Sequence, residues 1–434
     1  MKKLYYLFIL LFCAVTVNGQ YLDTNWVNQY NRVSFYQDSK ITPLSNNEYL
    51  LLQGLNYIIL NTDGDSLSDG TINSDLTSIN AITTSGNEIL VGGISTNGPM
   101  VSKLDMNLDT VWNTTIFPLA FSRGVGAIYA DGSGIYVGGS GQSNTPFISK
   151  LNMNGDTLWN TNLPQTTFSN LTSIIKLNDG NFLASGNVDD YPLAIKFDSS
   201  GDTIWTYQET IFISFSKANA FEKSNGDIVL VPHRKFITLN SSGVKISESN
   251  FTLNYYLDIV ENGDTIYLIG SQRSAQFNGN NYPIIEVRNR NLDSLGGFID
   301  STNIYPLVNN RFSDGFLTSN GALVVSGVIR DSVNITANTW NLLAAKFNGS
   351  SVTSIKPVHQ PPTITVYPNP TKDLVNFNSS SKIIKVLLIN SVGKIVKCIQ
   401  NNSHTISLSG SPSGTYFLRI TTLDGVSIQK LVKH

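Results

Sequence analysis

The chain has 434 residues, with 29 Lys and Arg against 31 Asp and Glu, and only 14% of it is charged. The charge is unevenly spread: residues 20–362 hold 19 basic and 29 acidic side chains, a net of −10, whereas residues 363–434 carry about +6. An acidic body excludes nucleic acid as a partner, because phosphate contacts need clustered Lys and Arg.

At the start, Lys2 and Lys3 precede an apolar run over residues 4–17, followed by Asn18-Gly19-Gln20. A basic start, a short apolar core and a small exit residue describe a secretory signal peptide over residues 1–19. The run is too short to cross a bilayer, and no other segment is long and apolar enough, so no membrane span is expected. Cys13 is not read as a lipidation site, since Phe12 stands where a small residue is needed. Cys13 leaves with the signal and Cys398 stands alone in the tail. The body therefore has no disulfide, and its stability rests on packing.

Residues 20–349 are repetitive. Lys103-Leu104-Asp105-Met106-Asn107-Leu108-Asp109-Thr110-Val111-Trp112 is echoed by residues 150–159 and 196–205, each ending in Trp. Upstream of each lies a second echo: Leu90-Val91-Gly92-Gly93, Tyr136-Val137-Gly138-Gly139 and Leu183-Ala184-Ser185-Gly186. Weaker copies occur near Gly54, Pro232, Gly270 and Gly327, making seven units. A period in the forties with four short strands per unit predicts a seven-bladed β-propeller. In the unit best defined, strands are expected over residues 78–83, 88–94, 100–105 and 110–115. The paired glycines let blades approach closely, and the Trp of the fourth strand is an apolar plug between blades. The seventh unit lacks an Asp-Thr-x-Trp strand, but Asp23-Thr24-Asn25-Trp26 supplies one. Residues 24–30 are thus predicted to be the outer strand of the last blade, closing the ring.

The Lys-(Leu/Phe)-Asp…Gly-Asp-Thr-x-Trp segment resembles the docking motif of quinoprotein-type propeller repeats, in which a turn Gly and an outer-strand Trp lock adjacent blades. That resemblance implies the fold and no quinone; no cofactor is expected. A sialidase-type Asp box would place Trp three residues after the turn Gly, and here the gap is four, from Gly201 to Trp205. The Gly-Asp pairs lack the alternating ligands of a calcium loop and have the composition of hairpin turns, so no metal is expected.

After a Ser/Thr/Pro-rich linker over residues 350–362, Pro368 and Pro370 mark an extended entry into a last domain, residues 363–434. Residues 374–377, 383–389 and 416–421 are strand-like, and residues 391–394 and 423–426 read as hairpin turns. These elements form a small immunoglobulin-like β-sandwich. The sequence Tyr367-Pro368-Asn369-Pro370, then Gly393-Lys394, then Gly414-Thr415-Tyr416, and the closing Lys430-Leu431-Val432-Lys433 resemble the C-terminal sorting domain (type A) of the type IX secretion system. This resemblance implies export of folded cargo across the outer membrane, with the secretion machinery as partner and a secreted or surface location. Bacteria with this system attach glycans at Asp-Ser/Thr-aliphatic sites, a short pattern met at Asp109, Asp156, Asp202 and Asp264.

Catalysis has little support in the sequence. Between residues 20 and 349 the only histidine is His233, and no nucleophile elbow, zinc helix or phosphate loop occurs. No catalytic residue is assigned, although carboxylates could converge on the propeller axis without a sequence signal. The reading is a binding or adhesion protein that recognises a glycan or a surface protein. The alternative is a polysaccharide hydrolase or lyase, and a third reading is a purely structural surface-layer protein. In a propeller the strand 1–2 and 3–4 turns share one face, and the 2–3 and 4–1 connections share the other. The first set is short here and the second is expected to be long and varied. Recognition concentrates in such loops, and they carry Phe121, Phe168, Phe215, Tyr282 and Trp340. These five are the candidate ligand-binding residues, unless their rings tuck between blades as core.

Overall fold

The computed structural model describes residues 22–30, 38–118, 124–141, 145–163, 169–210, 217–232, 234–250, 254–273, 281–299, 310–330, 340–348, 364–379, 382–390, 395–400, 404–422 and 425–434. Two compact units divide it near residue 350. The expected signal peptide and linker lie outside the described residues.

The first unit consists of seven four-stranded antiparallel sheets in chain order, here blades 1 to 7. Blades 1 to 6 span residues 40–71, 76–115, 124–162, 169–208, 218–250 and 254–299. Blade 7 combines Arg311–Leu317, Leu323–Arg330 and Trp340–Asn348 with the N-terminal strand Asp23–Tyr30. That strand runs antiparallel to the third, with Tyr30 opposite Leu342 and Asp23 opposite Asn348, in the outer place its sequence predicted. The inner strand of each blade touches that of the next, and blade 7 returns to blade 1. The protein is a closed β-propeller.

The second strand of each blade is buried on both faces, which is why it reads as an apolar run. Its side chains alternate between the two neighbours. In blade 1, Leu50 and Leu52 join the core shared with blade 2, while Leu51 joins the core shared with blade 7. Among the described residues seven apolar clusters lie in the body, one at each seam between blades. In blade 2 the strands are Leu76–Ser85, Glu88–Ser95, Gly98–Leu104 and Thr110–Thr115. The first three are longer than expected, so the connection expected at residues 95–99 is a tight turn. A side chain on Gly92 would press on Val125 and Ile128 of blade 3, at 2.4 and 2.8 Å, which is the close approach its sequence implied.

The Trp lock is present, and it has two versions. Trp26, Trp112, Trp159 and Trp205 lie over Gly64, Gly155, Gly201 and Gly243 of the following blade, where an added Cβ would sit within 2.9 Å of the indole. The ring closure, blade 7 onto blade 1, therefore uses the same lock as the repeats, and Trp26 also donates to the Thr62 carbonyl at 3.0 Å. In blades 1 and 5 the ladder position of the Trp is held by Ser68 and Ser247. There the next blade has Leu108 and Leu292 instead of Gly, at φ 66° and 74°. A small outer residue is matched by a large turn residue, so the seam keeps its volume. The first Asp or Asn of these turns accepts N–H groups two and four residues on, as Asp198 does from Ser200 and Asp202 at 2.9 and 3.0 Å. That is the turn chemistry read for the Gly-Asp pairs.

The second unit has two antiparallel sheets. One holds Ile364–Tyr367, Leu374–Ser379 and Thr405–Ser407; the other holds Ile383–Asn390, Ile395–Gln400, Gly414–Thr422 and Gly425–Lys433. Val375, Phe377, Leu388, Leu418 and Leu431 are among the residues of their shared core.

Candidate functional site

Ladder register aligns one residue of each inner strand around the axis. In blades 1 to 7 these are Lys40, Ala81, Ala127, Ser173, Asn219, Asp258 and Asp314, opposite Leu52, Gly92, Gly138, Ser185, Val231, Ile269 and Ser326. In five of the seven strands the register shifts just before this residue, and such bulges re-aim the side chain that follows. All seven residues line a channel of roughly 390 Å³. The ring is lopsided. Blades 2 to 4 contribute small neutral side chains, while blades 5, 6, 7 and 1 contribute Asn219, Asp258, Asp314 and Lys40.

The charged arc also stitches the blades. Asp314 accepts from Lys40 Nζ and from the Ile41 N–H, both at 2.8 Å. Asp258 accepts from the Gly315 N–H at 3.0 Å, and Asn219 Nδ2 donates to the Leu257 carbonyl at 2.9 Å. Each reaches the inner strand of the following blade. Around them, Asp38 binds Arg311 (Nη2 2.6 Å, Nε 2.8 Å) and lies 3.6 Å from Lys217. The buried hydroxyls of Ser39, Ser313 and Ser326 link at 3.0–3.1 Å.

These contacts shift the acidities. Burial, reinforced by the Asp314 carboxylate, pushes Asp258 up to about 7, and Lys40 and Lys217 only partly offset this. Burial works against the charge of Lys40, but Asp314 and then Asp258 hold its ammonium above the usual lysine range. Burial lowers Arg311 to about 10. The site thus contains a carboxyl able to donate or accept near neutral pH.

The residues chosen from sequence fall elsewhere. Phe121, Phe168 and Phe215 lie outside the described residues. Tyr282 and Trp340 are in strands, not loops, because strands two and three stay paired further than expected: Gln272 pairs with Tyr282 and Arg330 with Trp340. Tyr282 is half-buried. Trp340 is 5% exposed and belongs to the core between blades 7 and 1, the second of the two roles considered for it. The same extended pairing shortens the 2–3 connections, and in blades 1, 2, 4 and 5 only two residues separate those strands. The channel ring itself carries no sequence motif; only counting back along each unit from the second strand could have found it.

In the tail, Tyr367 is 49% exposed and Tyr416 is buried. Asn369 donates to the Lys430 carbonyl at 2.7 Å and accepts the Val432 N–H at 3.0 Å, so Pro368-Asn369-Pro370 is fastened to the closing Lys-Leu-Val-Lys strand. Gly414 opens the strand containing Tyr416. Gly393 and Lys394 lie outside the described residues.

The fold defines a β-propeller with a small C-terminal β-sandwich. Residues 365–434 match the secretion system C-terminal sorting domain. The chain is therefore exported to the cell surface or beyond, and the type IX secretion machinery is its partner. Among the described residues no helix is long and apolar enough to cross a membrane. No curated protein matches the chain. Among solved structures it is similar to a streptogramin B lyase, at 14% identity and TM-score 0.52 over 74% of this chain and 97% of that one. It is similar to BBS1N in complex with ARL6DN, at 12% identity and TM-score 0.51 over 77% and 98%. It is also similar to a chain of the Mitotic Checkpoint Complex, at 13% identity and TM-score 0.51 over 75% and 92%. At these identities the likeness is one of fold alone.

Proposed function

We propose that this exported propeller is a binding protein whose ligand, a glycan or a surface protein, docks on the face carrying the 4–1 connections, around the axial mouth. The observation that carries the reading is the position of the charged cluster. Asp38, Lys217 and Arg311 stand where inner strands begin, next to the 4–1 connections and beyond the ring of Lys40, Asp258 and Asp314. On the opposite face the 3–4 turns of blades 1 to 5 are uniform five-residue turns. Phe121, Phe168, Phe215 and Tyr282 remain the proposed aromatic contacts; Trp340 does not.

The second reading, a glycan-cleaving hydrolase or lyase, draws on the adjacent carboxylates Asp258 and Asp314. Against it, Asp314 is held by Lys40 and both carboxylates cap backbone N–H groups of the next blade. The test is to incubate the protein with a panel of surface polysaccharides and glycoproteins, measuring retention and chain cleavage in parallel. Retention without cleavage, weakened by Tyr282→Ala, is expected. Cleavage that is lost in Asp258→Asn would replace binding with catalysis.

A further inference from the structure

The channel is open because blades 2 to 4 place only Ala81, Ala127 and Ser173 where blades 5, 6, 7 and 1 place longer side chains. Its volume of roughly 390 Å³ is at the lower end of small-molecule sites, about 300–1,000 Å³. A chain or a folded surface does not fit it; the end of one does. Charge narrows the class. Three acids, Asp38, Asp258 and Asp314, stand among three bases, Lys40, Lys217 and Arg311, and ion pairs already join most of them. An incoming anion would compete with these carboxylates and an incoming cation with these bases. A neutral ligand competes with neither.

Hydrogen-bonding capacity is nevertheless left over. Lys40 has three N–H groups and, among the described residues, a single acceptor, Asp314. Asn219 is about nine-tenths buried and spends its amide nitrogen on Leu257, which leaves its oxygen without a protein donor among the described residues. Donors and acceptors thus alternate around one side of the channel, and the lining is mostly polar. Interleaved donors and acceptors in a polar, charge-balanced channel suit a ring with several hydroxyls.

We infer that the axial channel receives one neutral sugar ring, the end residue of a glycan, held by Asp258, Asn219 and Lys40. This rests on the binding reading above and narrows it to a glycan entered by its tip.

The experiment is calorimetric titration of the full chain with neutral hexoses and N-acetylhexosamines, with a uronic acid and an amino sugar as charged controls. Two variants accompany it: Ser173→Phe, which fills the channel from a half-exposed ring position, and Asp258→Asn, which keeps the shape. Thermal melts of both verify folding. At least one neutral sugar is expected to bind, more tightly than the charged controls. Asp258→Asn should weaken it by about tenfold or more, the scale of one hydrogen bond to an ionisable group, and Ser173→Phe should abolish it. Binding of a glycan that survives Ser173→Phe would overturn the channel site while leaving the binding face standing. Preference for a charged control would overturn the neutral-sugar class. No binding to any sugar would also overturn this inference; retention of a protein ligand in the panel above would then show that the wider reading survives.

Discussion

Substituting Gly201 by Ala tests the Trp lock in a way that separates its two components. Gly201 has φ +89°, and an added Cβ would lie 2.9 Å from Cε3 and Cζ3 of Trp159. Forcing an L residue into left-handed backbone costs roughly 1–2 kcal/mol, and overpacking a filled seam costs roughly 1–3 kcal/mol more. The expected total is about 2–5 kcal/mol. Gly180 supplies the control, since it has φ +85° and nothing within 4 Å of an added Cβ. Gly180→Ala should cost only the backbone component, about 1–2 kcal/mol. In a Trp159→Ala background the clash is gone, so Gly201→Ala should fall to the Gly180→Ala value. The coupling between positions 159 and 201 is then about 1–3 kcal/mol. Urea unfolding followed by circular dichroism, at a common slope, measures all four variants. Strict additivity of Trp159→Ala and Gly201→Ala would refute the lock as a packing device.

Three other outcomes are expected. Deleting residues 20–30 removes the outer strand of blade 7 and the Trp26 lock on Gly64; the melting temperature should drop far beyond the effect of trimming a free terminus, and an unchanged melt would rule out closure by this strand. Removing residues 363–434 should leave a folded propeller in the periplasm, which fractionation with immunoblotting checks; normal levels in the medium would contradict the sorting role. Because Asp258 binds its proton up to about pH 7 when folded and only to about 3.8 when unfolded, its contribution to stability is complete in acid and is lost as pH rises through about 7. Asp258→Asn should remove that decline, so the wild type should lose stability relative to the variant as pH rises from about 4 to about 7; a constant difference over that range would show that Asp258 titrates normally.

The tail motif, the repeat period and the missing strand at Asp23-Thr24-Asn25-Trp26 were legible because each is a local pattern. A turn Gly four residues before a Trp, or an apolar run buried on both faces, is written within ten residues, and repetition amplifies it. The signs of Leu108 and Leu292 in place of Gly were visible too, but only the ladder showed that Ser68 and Ser247 stand opposite the change and explain it. Tyr282 and Trp340 were misplaced because hairpin length depends on how far two strands stay paired, and for Trp340 the apolar seam between blades 7 and 1 won over the loop. The channel was out of reach for a stronger reason. Lys40, Asn219, Asp258 and Asp314 come from four segments spread over 275 residues, and no two are neighbours in sequence. Their meeting depends on ring closure and, for Asp258 and Asp314, on bulges that shift the inner strand just before them, and both are decided by packing between blades.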